Sequence, residues 1–265
     1  YLAAYQSVGL IKSFTGTLNE GIYLPAVSAS GTGNYKRANL LGNPYPSSID
    51  WKSVTGLDKS DLEGYENGGV SFYVWNEAAS NYGVYNDASA GDAGTNGTSR
   101  YIAPMQGFFV IAAQAGEFGM DNDARAHNAQ AWLKSGSENE FRLTVTAPSN
   151  AGSDEVLLDF GHAGVQGGAE KWFSMAATAP ALYVPSAEKD YSIRFLSSVS
   201  DYPAIPLAFK AGLNGEYTLS AGFHPAAYSS VMLTDQLTGK VHDLKANPVY
   251  AFAAATGDDP GRFLL

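Results

Sequence analysis

Short stretches of alternating apolar and polar residues, with no long helical period between them, constrain this chain more than any other feature. Phe141-Arg142-Leu143-Thr144-Val145-Thr146 alternates without error, as do Glu216-Tyr217-Thr218-Leu219-Ser220 and the core of Tyr191-Ser192-Ile193-Arg194-Phe195. Successive side chains of a strand point to opposite faces, so a period of two gives each stretch one face for a core and one for solvent. Val70-Ser71-Phe72-Tyr73-Val74-Trp75 is bulky on both faces, which predicts a central strand. Tyr82-Gly83-Val84-Tyr85 is its expected hairpin partner. Val231-Met232-Leu233-Thr234-Asp235, a turn over 236–240 and Val241-His242-Asp243-Leu244 repeat the pattern. Strands recurring about every 8 to 12 residues predict a β-sandwich. The first half shows the same spacing. The chain therefore reads as all-β, with two tandem antiparallel β-sandwich domains (jelly-roll or Ig-like) over residues 1–135 and 140–265. The short polar run Lys134-Ser135-Gly136-Ser137-Glu138-Asn139-Glu140 is the expected boundary.

Within the first half the densest signal is Gly42-Asn43-Pro44-Tyr45-Pro46-Ser47-Ser48-Ile49-Asp50-Trp51. Each proline fixes its own φ and drives the preceding residue, Asn43 or Tyr45, toward extended backbone. Gly42 and Asn43 tolerate left-handed angles, so the segment reads as a rigid corner, with Trp51 plugging a core behind it. Upstream, Ser13–Leu18 alternates as a strand and Asn19-Glu20-Gly21 turns it into Ile22-Tyr23-Leu24. Asp58–Gly69 has room for one short helical turn. Asn86–Ser99, rich in Asn, Asp, Ser and Gly, reads as a long exposed loop. Tyr101–Ile111 reads as a strand, a proline-glycine kink at Pro104–Gly107 and a buried strand.

Composition narrows the function. Apolar residues make up 45% of the 265 and charged residues 16%, enough for a real core and low in charge, as suits a β protein rich in turns. A net charge of −10 speaks against a nucleic-acid partner, because phosphate binding needs clustered Lys and Arg. It speaks equally against an anionic membrane surface. No stretch approaches the ~20 apolar residues of a membrane-spanning helix, so no membrane insertion is expected. The absence of cysteine removes disulfides, thiol catalysis and cysteine-zinc sites. The termini, Tyr1-Leu2-Ala3 and Arg262-Phe263-Leu264-Leu265, read as those of a piece of a larger multidomain chain.

Catalytic signatures are weak. The four histidines stand at 127, 162, 224 and 242, outside any metal-ligand spacing. There is no G-x-S-x-G elbow and no phosphate-binding loop. Glycosidase chemistry needs two carboxylates in one cleft; Asp154/Glu155 with Asp159, Asp121 with Asp123, and Asp258-Asp259 are the available pairs, and solvated acidic loops account for them more simply. The expectation is a non-enzyme with no obligatory cofactor. Asp121-Asn122-Asp123, with its hard oxygens, is the candidate for a structural calcium ion, and the Asp87/Asp92/Asn96 loop has the same character. Sugar recognition needs aromatic faces for stacking beside polar side chains for hydroxyls. Tyr82 and Tyr85 with Asn81 and Asp87 are the first candidates and Trp132 and Trp172 the next, each against the alternative of packing on its own domain. Trp51 and Trp75 are assigned to core.

Several segments together resemble a family of exported Bacteroidota surface proteins, in the region preceding the C-terminal sorting domain read by the type IX secretion system. They are Tyr1-Leu2-Ala3-Ala4-Tyr5, Phe14-Thr15-Gly16-Thr17-Leu18, Leu41–Trp51, Tyr73-Val74-Trp75-Asn76 and Ile102–Val110. In the second half they are Ile205-Pro206-Leu207, Gly215–Leu219, Tyr250-Ala251-Phe252 and Arg262-Phe263-Leu264. The resemblance implies a secreted or cell-surface location and a β-rich module attached to something larger. It implies no catalytic residues. Three functions therefore compete: a carbohydrate-binding module, which is the first expectation; a spacer or adhesin domain without its own ligand site, whose partners are neighbouring domains or a host or surface protein; and a hydrolase. Burial of every tryptophan and of both loop tyrosines would favour the second, and two carboxylates facing each other in a cleft would revive the third.

Overall fold

A computed structural model describes residues 16–33, 35–127, 139–165 and 167–265. The described chain is all-β, with four 3-10 turns as its only helical pieces. It divides into two compact units that are not consecutive in sequence: Tyr1–Glu63 with Tyr101–Ala131, and Gly64–Arg100 with Trp132–Leu265. The boundary at 134–140 lies mostly outside the described residues. A split into 1–135 and 140–265 is not what the contacts give, because 64–100 packs with the second unit.

The second unit is built on two sheets. One has six strands in the order Gly168–Glu170, Tyr191–Leu196, Ser153–Phe160, Glu140–Thr146, Gly215–Phe223 and Val249–Ala254; the other has five, Ala181–Tyr183, Pro206–Lys210, Phe263–Leu264, Met232–Asp235 and Lys240–Asp243. Pairing is antiparallel throughout both sheets except between Ser153–Phe160 and Tyr191–Leu196, which run parallel. The chain from 161 to 190 supplies the crossover that a parallel pair requires. Alternation sends Phe141, Leu143, Val145, Val156, Leu158, Tyr217, Leu219, Tyr250 and Phe252 inward to meet Leu182, Leu207, Phe209, Leu233 and Phe263 from the other sheet. Phe209 sits edge-on to both Tyr217 and Phe252, at 5.0 and 5.1 Å between ring centres. Asp235 and Arg262 form a buried pair beneath this core, with two contacts of 3.0 and 2.8 Å, and Tyr250 Oη donates to the same carboxylate.

The hairpin forms as the alternation predicts, Ser71–Asn76 against Asn81–Asn86 with Trp75 opposite Tyr82. It adds a third layer. Asn81 Nδ2 donates to the Ser153 and Pro180 carbonyls, Tyr73 Oη to the Glu170 carbonyl, and Arg142 reaches the Ala93 and Gly94 carbonyls. The segment after the hairpin, expected to be an exposed loop, is folded back onto hairpin and sheet with Ser89, Thr95 and Asn96 buried. Two glycines allow that approach: a Cβ at Gly83 would collide with Thr98 Oγ1, and one at Gly94 with the Val84 carbonyl. This covered face explains why Ser153–Phe160 is buried on both sides, Leu157, Asp154 and Asp159 included.

The first unit is organised differently. Its ladders are short: Ala26–Val27 with Gly116–Glu117, Leu57–Asp58 with Gly119–Met120, Ala38–Gly42 with Gly107–Ile111, and Ser48–Asp50 between Arg125–Ala126 and Tyr101–Ile102. Trp51 is fully buried, stacked on Phe118 and edge-on to Phe108. The proline corner is rigid as expected, by another device. Neither Gly42 nor Asn43 adopts positive φ. Instead the buried Asn43 side chain accepts from Tyr45 N and donates toward the Ser47, Ile102 and Ala103 carbonyls. Of the predicted Ser13–Leu18 strand, residues 13–15 lie outside the described residues and 16–18 are not strand; Ile22–Leu24 contributes only a bridge from Tyr23 to Met120. Asp58–Gly69 forms turns and no helix.

Candidate functional site

Among the described residues, the aromatic side chains nominated for sugar stacking do not form a surface. Tyr85 is fully buried and its hydroxyl donates to the Gly91 carbonyl at 3.0 Å. Tyr82 is buried between two indoles, edge-on to Trp75 at 5.2 Å and to Trp172 at 5.4 Å. Trp172, 4% exposed, lies flat on Tyr73 with 4.2 Å between ring centres and 7° between planes. That is the face a sugar ring would need. Asn81 is buried, its amide engaged by backbone, and Asp87 Oδ1 accepts from Val70 N at 2.7 Å. Tyr82, Trp172 and Asn81 are thus corrected from a binding surface to the seam between hairpin and sheet, Tyr85 is buried with its hydroxyl on the segment that follows the hairpin, and the half-buried Asp87 ties the open end of the hairpin to Val70. Trp132 lies outside the described residues. Trp75, assigned to core, is half-buried, and its indole nitrogen donates to Glu77 Oε2 at 2.8 Å.

Asp121 and Asp123 do not converge either. Asp121 Oδ1 accepts from Asp123 N at 2.8 Å and so caps the 3-10 turn Asn122–Ala124, while the Asp123 side chain is exposed. Of the second acidic loop, Asp92 pairs with Arg100 at 3.0 Å and Asn96 points inward. Among the described residues no group of three acidic or histidine side chains is placed to hold a metal ion.

Two polar clusters that periodicity did not single out lie under the hairpin layer. In one, Glu140 and Asp159 stand opposite each other on neighbouring strands; His162 Nε2 is 3.2 Å from Asp159 Oδ1, and Arg142 pairs with both Glu140 and Glu155. Burial raises Glu155 above the ordinary carboxylate range although Arg142 and Thr144 oppose it. Burial, with the nearby Asp159 charge, pushes the Tyr228 hydroxyl up to about 12. In the other cluster, Asp154 takes three donors: Lys171 Nζ at 2.5 Å and Leu182 N at 2.7 Å on Oδ2, and Asn96 Nδ2 at 2.9 Å on Oδ1. The signal available in sequence was Asp154 and Asp159 flanking the apolar run Val156-Leu157-Leu158, a pattern that also fits a solvated strand end.

The sequence profile of a domain of unknown function, DUF8693, matches residues 3–265. The chain belongs to that family. No curated protein and no solved structure matches it. Within this DUF8693 chain four of the carboxylates weighed as hydrolytic are engaged, Asp154 by Lys171, Glu155 by Arg142, Asp258 by Ala255 N and Asp259 by Gly261 N. Asp159, by contrast, accepts from Ala90 N on Oδ2 and, among the described residues, has no hydrogen bond on its buried Oδ1, and the Asp123 side chain is exposed.

Proposed function

We propose that this DUF8693 chain is a non-catalytic spacer or adhesin-type module of an exported bacterial surface protein, acting by holding and presenting its neighbours. The observation that carries this reading is the flat stacking of Trp172 on Tyr73. It takes the best aromatic platform out of solvent, together with Tyr82 and Tyr85. Support comes also from Asp154, Glu155, Asp258 and Asp259, whose carboxylates accept from Lys171, Arg142 and backbone amides. Export and attachment to a larger chain come from the resemblance of the proline corner and the strands around it. A glycan array and pull-downs on insoluble polysaccharides, with and without calcium, test the proposal. The expected outcome is no specific retention. Carbohydrate binding is the second reading, and the half-buried ring of Trp75 favours it; specific retention abolished by Trp75→Ala would replace the spacer reading with that one.

A further inference from the structure

Lys171 and Asp154 have side chains with 0% exposure, and Asn96 is buried beside them. Long cationic side chains are almost never fully enclosed, and a fully enclosed ammonium needs its protons matched by acceptors. Among the described residues Lys171 Nζ has a single acceptor, Asp154 Oδ2. The other oxygen of that carboxylate holds Asn96 Nδ2, whose amide also donates to the Tyr82 carbonyl at 2.8 Å. One carboxylate therefore bridges a buried amine and the nitrogen of a buried carboxamide, under a layer containing Tyr73, Tyr82 and Trp172.

We propose that Lys171 and Asn96 become joined by an intramolecular isopeptide bond, with Asp154 as the acid–base group. The lysine ammonium passes a proton to Asp154 Oδ2, leaving a neutral amine whose lone pair attacks Cγ of Asn96. Asp154 returns its proton to Nδ2 and accepts the second proton that Nζ must lose. The Cγ–Nδ2 bond breaks as the Nζ–Cγ bond settles, and ammonia departs. No oxidant or cofactor enters the balance: an amine and a primary amide give a secondary amide and ammonia. The site supplies what the reaction lacks in water, a held nucleophile, a held electrophile and a proton carrier touching both the attacking and the leaving nitrogen. The product ties the segment after the hairpin to the chain following strand Gly168–Glu170, a covalent brace in a chain that has no cysteine.

Intact-mass measurement on the folded wild-type chain is the test, followed by protease mapping. The expected result is a mass below the sequence value by one ammonia, with the peptides carrying Asn96 and Lys171 recovered as one branched species and no cleavage after Lys171. Lys171→Arg, Asn96→Ala and Asp154→Asn should each restore the mass calculated for that variant. A wild-type mass equal to the sequence value overturns the proposal. So does an ammonia loss confined to a single linear peptide at Asn96-Gly97, which would be a succinimide, or a loss of water, which would place the bond on Asp154. The wild-type result decides the matter even if a variant fails to fold.

Discussion

The two units bury aromatic cores of similar character by different means. In the second, strands of seven, eight and nine residues (Glu140–Thr146, Ser153–Phe160, Gly215–Phe223) lie side by side, and backbone ladders satisfy the buried peptide groups. In the first no strand among the described residues exceeds five residues, so side chains do part of that work. Asn43 serves three carbonyls, buried Lys59 donates to the Trp51 carbonyl at 2.9 Å, and Tyr45 Oη donates to the Gly21 carbonyl at 2.7 Å. A buried backbone group must be paired wherever it is, and a short strand leaves more of them to side chains. The first unit should therefore be hurt by changes at single polar residues that a long ladder would tolerate.

The comparison yields graded outcomes. Asp235→Ala leaves Arg262 buried without its carboxylate and should cost about 3–5 kcal/mol in the second unit, measured by urea unfolding. The same pair sets a pH dependence. Burial raises Asp235, but its bonds from Arg262 and Tyr250 outweigh that and hold it below the ordinary carboxylate range. A carboxyl lowered in the folded state stabilises above its unfolded value and loses that contribution as pH falls through the folded one. The gap between wild type and Asp235→Asn should thus be constant near neutrality and shrink in strong acid; a gap that stays constant there would show that Asp235 is not the linked group.

Trp51→Ala should cost about 3–5 kcal/mol at the top of the large-to-small range, confined to the first unit. Hydrogen exchange should show 16–63 and 101–127 losing protection while Glu140–Thr146 keeps it. Uniform loss across both would mean that the units do not open separately. Asn43→Ala should cost about 1–3 kcal/mol in the same unit, because each orphaned buried group carries its own desolvation penalty. Thr218→Ala, in the middle of a long ladder in the second unit, should change stability by less than about 0.5 kcal/mol. If Asn43→Ala proved as mild, the contrast between the units would fail. Asp121→Ala falls between those two, at about 1 kcal/mol for a lost cap, read from the midpoint of thermal unfolding.

What could be read without coordinates follows from how local each signal is. The strands of the second half, the hairpin and the rigid corner were legible because alternation and proline act over a few residues. Burial of the hairpin's second face was half-visible in the bulk of Tyr73 and Trp75. The fate of Tyr82, Tyr85 and Trp172 was not, since an aromatic beside a polar loop looks the same whether that loop projects into solvent or folds back. Gly83 and Gly94, which permit the fold-back, carry no such meaning until Thr98 and Val84 are seen against them.

The sequence by itself determined that the chain is all-β and where its long strands run. Only the tertiary structure decided that residues 64–100 belong to the second unit, that Tyr82 and Trp172 are seam, and that Lys171, Asp154 and Asn96 meet. Alternation reports which face of a strand is apolar. It says nothing about which distant segment covers that face, and pairs as remote as Asn96 and Lys171 come together only when the layers close.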